Sequence, residues 1–440
     1  MHEVYETPKL GAGRLHELLP HEKRALLVGT YESSRVKSSC EEQLRELASL
    51  GDTYGLETVH QVAAPIREIE AATYIGSGKV EEIRKLAEEH AAGIIIFDDE
   101  ISPQQQRNLE KKIQRPVIDR SELILGVFAQ RAQSREAKIQ VEIAMTRYQL
   151  PRLVRLWTHL GRQKVGGGGK GGFLKGEGEK QIEIDRRILR KKLSGLESEL
   201  KEIKQHRELQ RKARVRTGIP TFAIIGYTNA GKSTLLHALT EADVLIEDKL
   251  FATLDTTTRK FTLPNKQEIL LTDTVGFVRK LPHLLVAAFN STLEEAVQAD
   301  ILLHLVDVSN PQAGAHVETT FALLKELKAD KKPILHLLNK IDQCQSRLLV
   351  EKMRITYPKT VEISALTKQG FDRLYELMIR EISLLRKTVS LRIPQSQYAL
   401  VSEVMREGRV HTIAYEENDV VLEAEIPTVL EHKVILYLIP

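Results

Sequence analysis

Residues 222–233 of the 440-residue chain read FAIIGYTNAGKS. The apolar run Phe222–Ile225 predicts a buried strand, and Thr234–Leu239 predicts a helix just after this stretch. Between them, Gly226–Ser233 has the spacing G-x-x-x-x-G-K-S. A strand, a glycine loop and a helix in this order predict a P-loop, in which backbone N–H groups at a helix N-terminus wrap phosphates. The stretch therefore predicts an α/β nucleotide-binding domain with a mainly parallel sheet.

The loop supplies the residues that are predicted to bind the phosphates of a nucleotide. They are Gly226, Tyr227, Thr228, Asn229, Ala230, Gly231, Lys232 and Ser233. Lys232 is predicted to bring positive charge to the β- and γ-phosphates during catalysis, and Ser233 to give its hydroxyl to Mg²⁺. The alternative is a chance glycine-rich turn with an exposed lysine, which the preceding strand and the following helix disfavour.

A second motif follows the apolar run Ile269–Leu271, which predicts another strand. It has the spacing D-x-x-G, and its nucleotide-facing residues are predicted to be Asp273, Thr274, Val275 and Gly276. Asp273 can hold Mg²⁺ through water, and the backbone amide of Gly276 can sense the γ-phosphate and act in catalysis.

Two further motifs predict recognition of a guanine base. The predicted strand Ile334–Leu338 runs into an N-K-x-D motif formed by Asn339, Lys340, Ile341 and Asp342. The Asp342 carboxylate can accept both N–H donors of the guanine edge, whereas adenine offers the opposite pattern. A predicted strand at Val361–Ile363 precedes the residues expected to close over the base, Ser364, Ala365 and Leu366. Four motifs in this order, each at the carboxyl end of a strand, predict a GTPase with GTP as its substrate.

The segment between the first two motifs is predicted to be a nucleotide-dependent switch. Its nucleotide-facing residues are predicted to be Phe251, Ala252, Thr253, Leu254 and Asp255. A GTPase needs one threonine here that meets Mg²⁺ while the γ-phosphate is present. Thr253 is chosen as this catalytic residue, and the alternatives left open are Thr256, Thr257 and Thr258. The predicted metal ligands are therefore Ser233, Thr253 and Asp273.

Phe277 follows Gly276 at the position where Ras-like enzymes place a glutamine that orients the attacking water. An apolar side chain cannot hydrogen-bond that water. We therefore expect slow intrinsic hydrolysis and an external partner that completes the site.

The net charge of +4 conceals an uneven distribution. Residues 131–216 contain 23 Lys and Arg against 10 Asp and Glu, a net of +13, and the rest of the chain carries a net of −9. One interpretation is a solvated helical surface. The other is a polyanion-binding arm, for which nucleic acid is the commonest partner.

The remaining patterns predict a multi-domain α/β protein. Before residue 120, short β-rich runs alternate with helical patterns, which favours a small parallel α/β domain. The predicted strands and helices there are 25–30, 41–50, 58–63, 79–89, 93–98, 103–114 and 116–118. Near the C-terminus, a strand, a helix and two strands are predicted at 389–393, 399–406, 410–415 and 420–426. The predicted domains are an N-terminal α/β domain (1–120), a basic helical hairpin with a glycine-rich loop (121–216), a P-loop GTPase domain (217–387) and a small α+β domain (388–440).

The hairpin prediction depends on two neighbouring patterns. The run GRQKVGGGGKGGFLKGEGEK at 161–180 is so rich in glycine that it predicts a loop without a regular element. After it, a heptad-spaced apolar seam is formed by Leu189, Leu193, Leu196, Leu200 and Ile203. Two antiparallel helices zipped along this seam, with the loop at or near their tip, explain both patterns, and a simple flexible linker is the alternative for the glycines.

Cysteine content and hydropathy exclude several classes. Cys40 and Cys344 cannot form a disulfide framework or a Cys-based zinc site, and this usage suits a reducing cytosol. The apolar runs fall far short of the roughly 20 residues that span a bilayer. The first residues, MHEVYETPKL, lack the pattern of a signal peptide. We therefore expect a cytoplasmic protein with no integral membrane contact.

These residues together resemble the HflX family of ribosome-associated GTPases along nearly the whole chain. The resemblance is carried by YIGSGK (74–79), DDEISP (98–103), VIDR (117–120), QVE (140–142), LPRL (150–153), FATLD (251–255) and DTVGFVRKLPH (273–283). The chain departs from the family pattern at two places. One is the glycine-rich loop at 175–181, and the other is Thr256, a position at which the family usually has proline.

The resemblance implies Mg²⁺-dependent GTP hydrolysis stimulated by ribosomes, and binding to the large ribosomal subunit with its RNA near the peptidyl transferase region. It also implies splitting or rescue of stalled ribosomes under stress, and an ATP-binding or RNA-remodelling activity in the N-terminal domain. Away from the ribosome we expect a monomer. Two alternatives are an RNA-remodelling NTPase acting on ribosomal RNA and a GTP-dependent protein-interaction module.

Overall fold

A computed structural model describes residues 23–153, 175–215, 219–240, 250–251, 257–280, 296–344 and 347–439. Several predicted switch residues lie outside these ranges, namely Ala252, Thr253, Leu254, Asp255 and the alternative Thr256. The chain forms two compact units. The first comprises residues 1–201, 247–255 and 280–290, and the second comprises residues 202–246, 256–279 and 291–440.

The first unit contains a four-stranded parallel sheet with the strand order β2-β1-β3-β4. Its strands are β1 (Arg24–Tyr31), β2 (Glu57–Pro65), β3 (Ile94–Phe97) and β4 (Val117–Asp119). All residues of β3 are buried, as expected for a strand that is covered on both faces. The strands predicted before residue 120 are confirmed.

Helices flank this sheet and extend the first unit toward residue 150. They are α1 (Lys37–Tyr54), α2 (Ser77–Glu89), α3 (Pro103–Ile113), α4 (Arg120–Arg131) and α5 (Arg135–Gln149). The Ser102 hydroxyl accepts a hydrogen bond from the Gln105 N–H at 3.2 Å, and the Gln105 side chain accepts one from the Ser102 N–H at 2.9 Å. This reciprocal capping box fixes the start of α3. The first part of the region predicted as a helical hairpin, up to residue 149, forms two helices, because Ser134 caps a new helix by accepting from the Ala137 N–H.

A long helix, α6 (Lys175–Val215), follows the glycine-rich run. The prediction that no regular element forms over 161–180 is wrong for residues 175–180, where α6 already runs through Gly176 and Gly178. Each helical glycine costs about 1 kcal/mol relative to alanine, and the strong helix formers that follow offset this cost. The remainder of the glycine-rich run, together with residues 154–160, lies outside the described residues.

The apolar seam predicted on α6 is protected from solvent to different degrees. Leu189 is fully buried, and Leu193, Leu196, Leu200 and Ile203 are half-buried. Within the first unit, ion pairs join α6 to α5: Lys192 Nζ lies 2.6 Å from Glu142 Oε1, and Arg147 Nη2 lies 2.6 Å from Glu197 Oε1. These pairs connect the polar side chains of α5 and α6, and they neutralise part of the basic charge of α6.

The second unit contains a six-stranded sheet with the strand order β10-β9-β8-β5-β7-β6. Its strands are β5 (Thr221–Gly226), β6 (Thr257–Thr262), β7 (Glu268–Asp273), β8 (Ile301–Asp307), β9 (Ile334–Asn339) and β10 (Thr360–Glu362). The pairing is parallel except between β6 and β7. The mainly parallel sheet is confirmed. The β6 strand was not predicted, because its sequence TTRKFT is mostly polar, as suits a strand at a sheet edge.

Helices cover both faces of this sheet. They are α7 (Lys232–Thr240), α8 (Ala313–Glu326), α9 (Arg347–Thr356) and α10 (Phe371–Leu385). One buried cluster includes Leu235 and Phe371, and another includes Phe277 and Leu302. This layered packing holds the carboxyl ends of the strands in fixed positions.

The chain ends in a small antiparallel sheet with the strand order β11-β13-β12. Its elements are β11 (Arg386–Pro394), α11 (Tyr398–Glu407), β12 (Arg409–Glu416), β13 (Asp419–Pro427) and α12 (Thr428–Val434). All but α12 were predicted, and the multi-domain α/β fold class with a small α+β C-terminal part is confirmed. The four domain boundaries stay a prediction.

Among the described residues, no helix is long and apolar enough to cross a membrane.

Candidate functional site

The predicted phosphate loop lies at the carboxyl end of β5, between two strands that end in other predicted motifs. Strand β5 pairs with β7 on one side and with β8 on the other, and β9 follows β8. Because carboxyl ends of parallel strands meet at one sheet edge, Gly226, Asp273 and Asn339 lie at the same edge. The structure thus brings together the loops predicted to bind phosphate, metal and base.

Lys232 begins α7 and is held inside the loop. Its ammonium donates a hydrogen bond to the Tyr227 carbonyl at 2.7 Å, and its side chain is buried. Burial lowers the pKa of Lys232 to about 8, because the charged form loses its hydration, and the nearby Asp273 carboxylate opposes this shift. The ammonium remains mostly charged at pH 7 and is placed to meet a phosphate.

Ser233 and Asp273 form the described part of the predicted metal site. The Ser233 hydroxyl donates to Asp273 Oδ2 at 3.0 Å, and Asp273 is fully buried at the end of β7. A hydroxyl and a carboxylate are the oxygen donors that Mg²⁺ prefers. These two side chains therefore fit a magnesium ion, and Thr253, the third predicted ligand, lies outside the described residues.

Asn339 connects the phosphate loop to the predicted base loop. Its Nδ2 donates to the Ala230 carbonyl at 2.8 Å, and its Oδ1 accepts from the Ala365 N–H at 2.9 Å. Gly231 has a φ of +94°, and a Cβ at this position would lie 2.5 Å from Asn339 Nδ2. The second glycine of the motif is therefore required both by its backbone conformation and by the close approach of Asn339.

The other predicted base-recognition residues lie on the turns that follow β9 and β10. Asp342 is exposed on a short 3₁₀ turn, and Lys340, which has a φ of +63°, places its Nζ 2.8 Å from Asp307 Oδ2. Ser364 is buried and its hydroxyl accepts from the Thr367 N–H at 3.2 Å, whereas Leu366 is 74% exposed. An exposed carboxylate beside an ordered turn is accessible to the edge of a base.

The predicted switch residues are only partly described. Phe251 is buried in the first unit, where its ring packs edge-on against Phe128 with centroids 4.5 Å apart. The nucleotide contact predicted for Phe251 stays a prediction. Of the alternative threonines, Thr257 and Thr258 lie on β6, and the Thr258 hydroxyl is 3.0 Å from that of Thr272. The nucleotide contacts of this segment stay a prediction.

The segment after Asp273 contains two residues with structural roles that the motif alone did not indicate. The Thr274 hydroxyl donates to the Ile224 carbonyl at 2.7 Å and so ties the motif to β5. Phe277 is 2% exposed and packs in an apolar cluster with Tyr227 and Leu302. Its ring faces the core, which is consistent with the expectation that it does not orient water.

Sequence reasoning missed the side-chain role of Tyr227. Its ring stacks on His316 with centroids 3.7 Å apart, and its hydroxyl accepts from the Arg279 N–H at 2.8 Å. The sequence offered one weak signal of this role, namely that Tyr227 is a bulky residue at a variable position of the phosphate-loop motif, where many side chains are tolerated. His304 and His336, a buried pair in the sheet, were also missed, because isolated histidines in apolar strands carry no motif.

Three family models match consecutive parts of the chain. They are described as GTP-binding GTPase N-terminal (residues 41–129), GTP-binding GTPase Middle Region (131–214) and 50S ribosome-binding GTPase (221–340). GTPase HflX of Chlamydia pneumoniae is 49% identical over 411 residues, which cover 93% of this chain and 87% of that protein. GTPase HflX of Escherichia coli (strain K12) is 38% identical over 390 residues, which cover 88% of this chain and 90% of that protein. A crystal structure of a GTP-binding protein from Sulfolobus solfataricus in complex with GDP covers 81% of this chain and 97% of its own, at 26% identity and a TM-score of 0.42.

The parallel sheet, with its phosphate loop and N-K-x-D motif at one edge, defines a P-loop GTPase, an enzyme that hydrolyses GTP. Given the identities to its relatives over most of both chains, the chain belongs to the HflX family of GTPases. The family resemblance carried by its motifs is confirmed.

Proposed function

We propose that the protein is a Mg²⁺-dependent GTPase that binds the large ribosomal subunit, including its RNA, and acts in the splitting or rescue of ribosomes. In this proposal, GTP controls binding and its hydrolysis controls release. The protein acts as a cytoplasmic monomer when it is away from the ribosome. The observation that carries the ribosomal part is the concentration of positive charge in residues 131–216, a net of +13 in a chain whose remainder is acidic.

The metal would be held by Ser233, by Asp273 through water, and by Thr253. When bound, Mg²⁺ supplies positive charge that stabilises the transferring phosphoryl group. Lys232 adds a second positive charge at the same phosphates, and the Gly276 amide reports the γ-phosphate. The hydrogen bond of 3.0 Å between Ser233 and Asp273 supports this assignment, because it brings together the two oxygen atoms that are proposed to face the metal.

In the described part of the site, the position after Gly276 holds an apolar residue that cannot hydrogen-bond the attacking water. The side chain of Phe277, at the position of the usual glutamine, is directed into an apolar cluster. We therefore propose that the ribosome completes the site and accelerates hydrolysis, as the family resemblance implies. A slow basal rate and a large stimulation by subunits are expected.

The surface of α6 offers cations to a polyanion. Arg187, Arg190, Lys191 and Lys201 are exposed on this helix. One of the matched family models is described as a 50S ribosome-binding GTPase, which supports ribosomal RNA as the polyanion. Because phosphate contacts release counterions, binding should weaken steeply with salt.

The experiment measures GTP turnover with and without purified large ribosomal subunits, alongside co-sedimentation at several salt concentrations. The test variant is Arg190→Glu/Lys191→Glu on α6. Its matched control is Lys111→Glu/Lys112→Glu, which reverses an adjacent exposed basic pair at the end of α3. We expect the α6 variant to lose most subunit binding and stimulation, and the control to retain both. If the subunits neither bind nor stimulate the wild-type protein, the ribosomal part of the proposal fails.

A further inference from the structure

The four residues Gly276–Arg279, here named the clasp segment, lie against the phosphate loop within the second unit. The Thr228 N–H donates to the Phe277 carbonyl at 2.7 Å, and the Phe277 N–H donates to the Gly226 carbonyl at 3.0 Å. A third bond runs from the Arg279 N–H to the Tyr227 hydroxyl at 2.8 Å. Only this third bond uses a side chain, so it is the one that a substitution can remove selectively.

The Tyr227 hydroxyl is held in a defined position by the surroundings of its ring. The ring is stacked on the imidazole of His316, with an angle of 6° between the two planes, and Tyr227 is 6% exposed. The ring also belongs to the apolar cluster that contains Phe277. A side chain that is buried and stacked in this way can hold the Arg279 amide at a fixed distance from the loop.

Gly276, the first residue of the clasp segment, lies close to the ammonium that is predicted to meet the γ-phosphate. A Cβ on Gly276 would lie 2.8 Å from Lys232 Nζ and 2.9 Å from Thr228 Cα. The loop amides can wrap the β-phosphate deeper in the loop, but a γ-phosphate needs space next to Lys232 and Gly276. We expect Gly276 to withdraw when the γ-phosphate of GTP binds, and the hydrogen bond from the Arg279 N–H to the Tyr227 hydroxyl opposes this movement.

We propose that Tyr227 is a positioning residue, whose hydroxyl holds the clasp segment over the phosphate loop and thereby sets the affinity for GTP relative to GDP. The inference rests on the proposed roles of Lys232 and Gly276. A ligand that binds only when the clasp segment has withdrawn has its affinity reduced by the fraction of molecules in that arrangement. Weakening the hold of Tyr227 should therefore favour GTP and leave GDP nearly unaffected.

The test variant is Tyr227→Phe, which keeps the stacked ring and removes the acceptor for the Arg279 N–H. Dissociation constants are measured for GDP and for a non-hydrolysable GTP analogue. Because a typical hydrogen bond contributes about 1 kcal/mol, we expect the GTP analogue to bind about 2- to 10-fold more tightly relative to GDP than in the wild type. Tyr375→Phe, which removes a phenol hydroxyl on α10, should leave the ratio unchanged.

A second measurement separates positioning from simple destabilisation. In Tyr227→Phe, the amide of Arg279 should exchange its hydrogen faster than in the wild type, while the melting temperature changes little. If the variant does not fold, His316→Ala is used instead, because it removes the stacking partner, and its affinity ratio should shift in the same direction. An unchanged ratio in the folded variant overturns the inference. Failure of the wild type to bind guanine nucleotides would refute the proposed function instead.

Discussion

The Nδ1 atoms of His304 on β8 and His336 on β9 lie 3.2 Å apart inside the six-stranded sheet. One ring must donate a proton and the other accept it, so the pair is stable when both imidazoles are neutral. Burial lowers the pKa of His304 to about 3 and that of His336 to about 4, and the neighbouring His336 adds to the effect on His304. The pair is thus a neutral polar contact enclosed by apolar side chains.

The histidine pair predicts a loss of stability in mild acid. Both pKa values in the folded protein lie below the ordinary value of 6.5. As the pH falls below 6.5, the unfolded chain therefore binds more protons than the folded protein does. The stabilising contribution is complete above pH 6.5 and is lost progressively toward pH 4, at up to about 1.4 kcal/mol per pH unit for each histidine. Denaturant titrations between pH 8 and pH 4.5 measure this. His336→Phe should reduce the slope, whereas His411→Asn, which alters an exposed histidine on β12, should not.

Asn339 predicts the cost of breaking the connection between the phosphate and base loops. Asn339→Asp keeps the shape but replaces the donor to the Ala230 carbonyl with an acceptor, so two oxygens would face each other. We expect nucleotide affinity to fall about tenfold or more, with the fold retained. Fluorescent GDP titrations and circular dichroism check this. The matched control is Asn265→Asp on an exposed turn, and an equal loss in both variants would contradict the prediction.

The lowered pKa of Lys232 predicts a pH dependence of nucleotide binding. Below about pH 8 the ammonium is charged before binding, and above this value the lysine must take up a proton to meet the phosphates. GDP affinity should be nearly constant below about pH 7, fall about twofold by pH 8, and then fall by up to about tenfold for each further pH unit. Calorimetry at pH 8.5 in two buffers of different ionisation enthalpy should detect the proton uptake. Equal heats in both buffers would count against it.

Asp342 predicts which base the site accepts. In Asp342→Asn an amide replaces the carboxylate, so one of the two acceptors for the guanine N–H groups becomes a donor. GTP affinity should fall about 100-fold or more, while affinity for xanthosine triphosphate, which carries a carbonyl in place of the exocyclic amine, should rise. Competition binding with both nucleotides measures the exchange. The test excludes guanine recognition by Asp342 if the preference for GTP is unaltered.

The buried charge of Asp98, in the first unit, predicts a large effect of its removal on stability. It is buried at the end of β3 and accepts from Arg120 Nη1 at 2.6 Å and from Lys280 Nζ at 2.7 Å. Asp98→Ala would leave the Arg120 guanidinium buried with only part of its charge balanced, which costs about 3–5 kcal/mol. Denaturant unfolding measures the loss. Asp52→Ala, which removes an exposed aspartate from α1, should change stability little.

The parts of the fold that the sequence predicts well are those in which local chemistry and global packing agree. The start of α3 follows from Ser102 and Gln105, whose reciprocal bonds involve neighbours in the chain. The phosphate loop follows from the glycines and Lys232, because few other structures need that spacing. These features depend on residues that are close in sequence, so periodicity and motif are sufficient to find them.

The parts that could not be predicted depend on partners that are distant in sequence. The bond from Tyr227 to Arg279 joins residues 52 positions apart, and Asn339 meets Ala230 across 109 positions. The start of α6 at Lys175 was missed for a different reason, because two glycines in a helix are a small cost beside the length of helix that follows. Composition therefore misplaced a boundary, and only three-dimensional packing could reveal the added roles of Tyr227 and Asn339.

The β6–β7 hairpin has a mechanical consequence. Thr257, where β6 begins, pairs directly with Asp273, where β7 ends, so the predicted switch before Thr257 and the clasp segment after Asp273 leave the sheet from the same end of one ladder. A slip of one residue in an antiparallel ladder would turn every side chain to the opposite face, so the ladder resists such a slip. The two segments are therefore connected to the sheet at one backbone pair, Thr257 with Asp273, and we expect a displacement of either segment to act on the other through this pair.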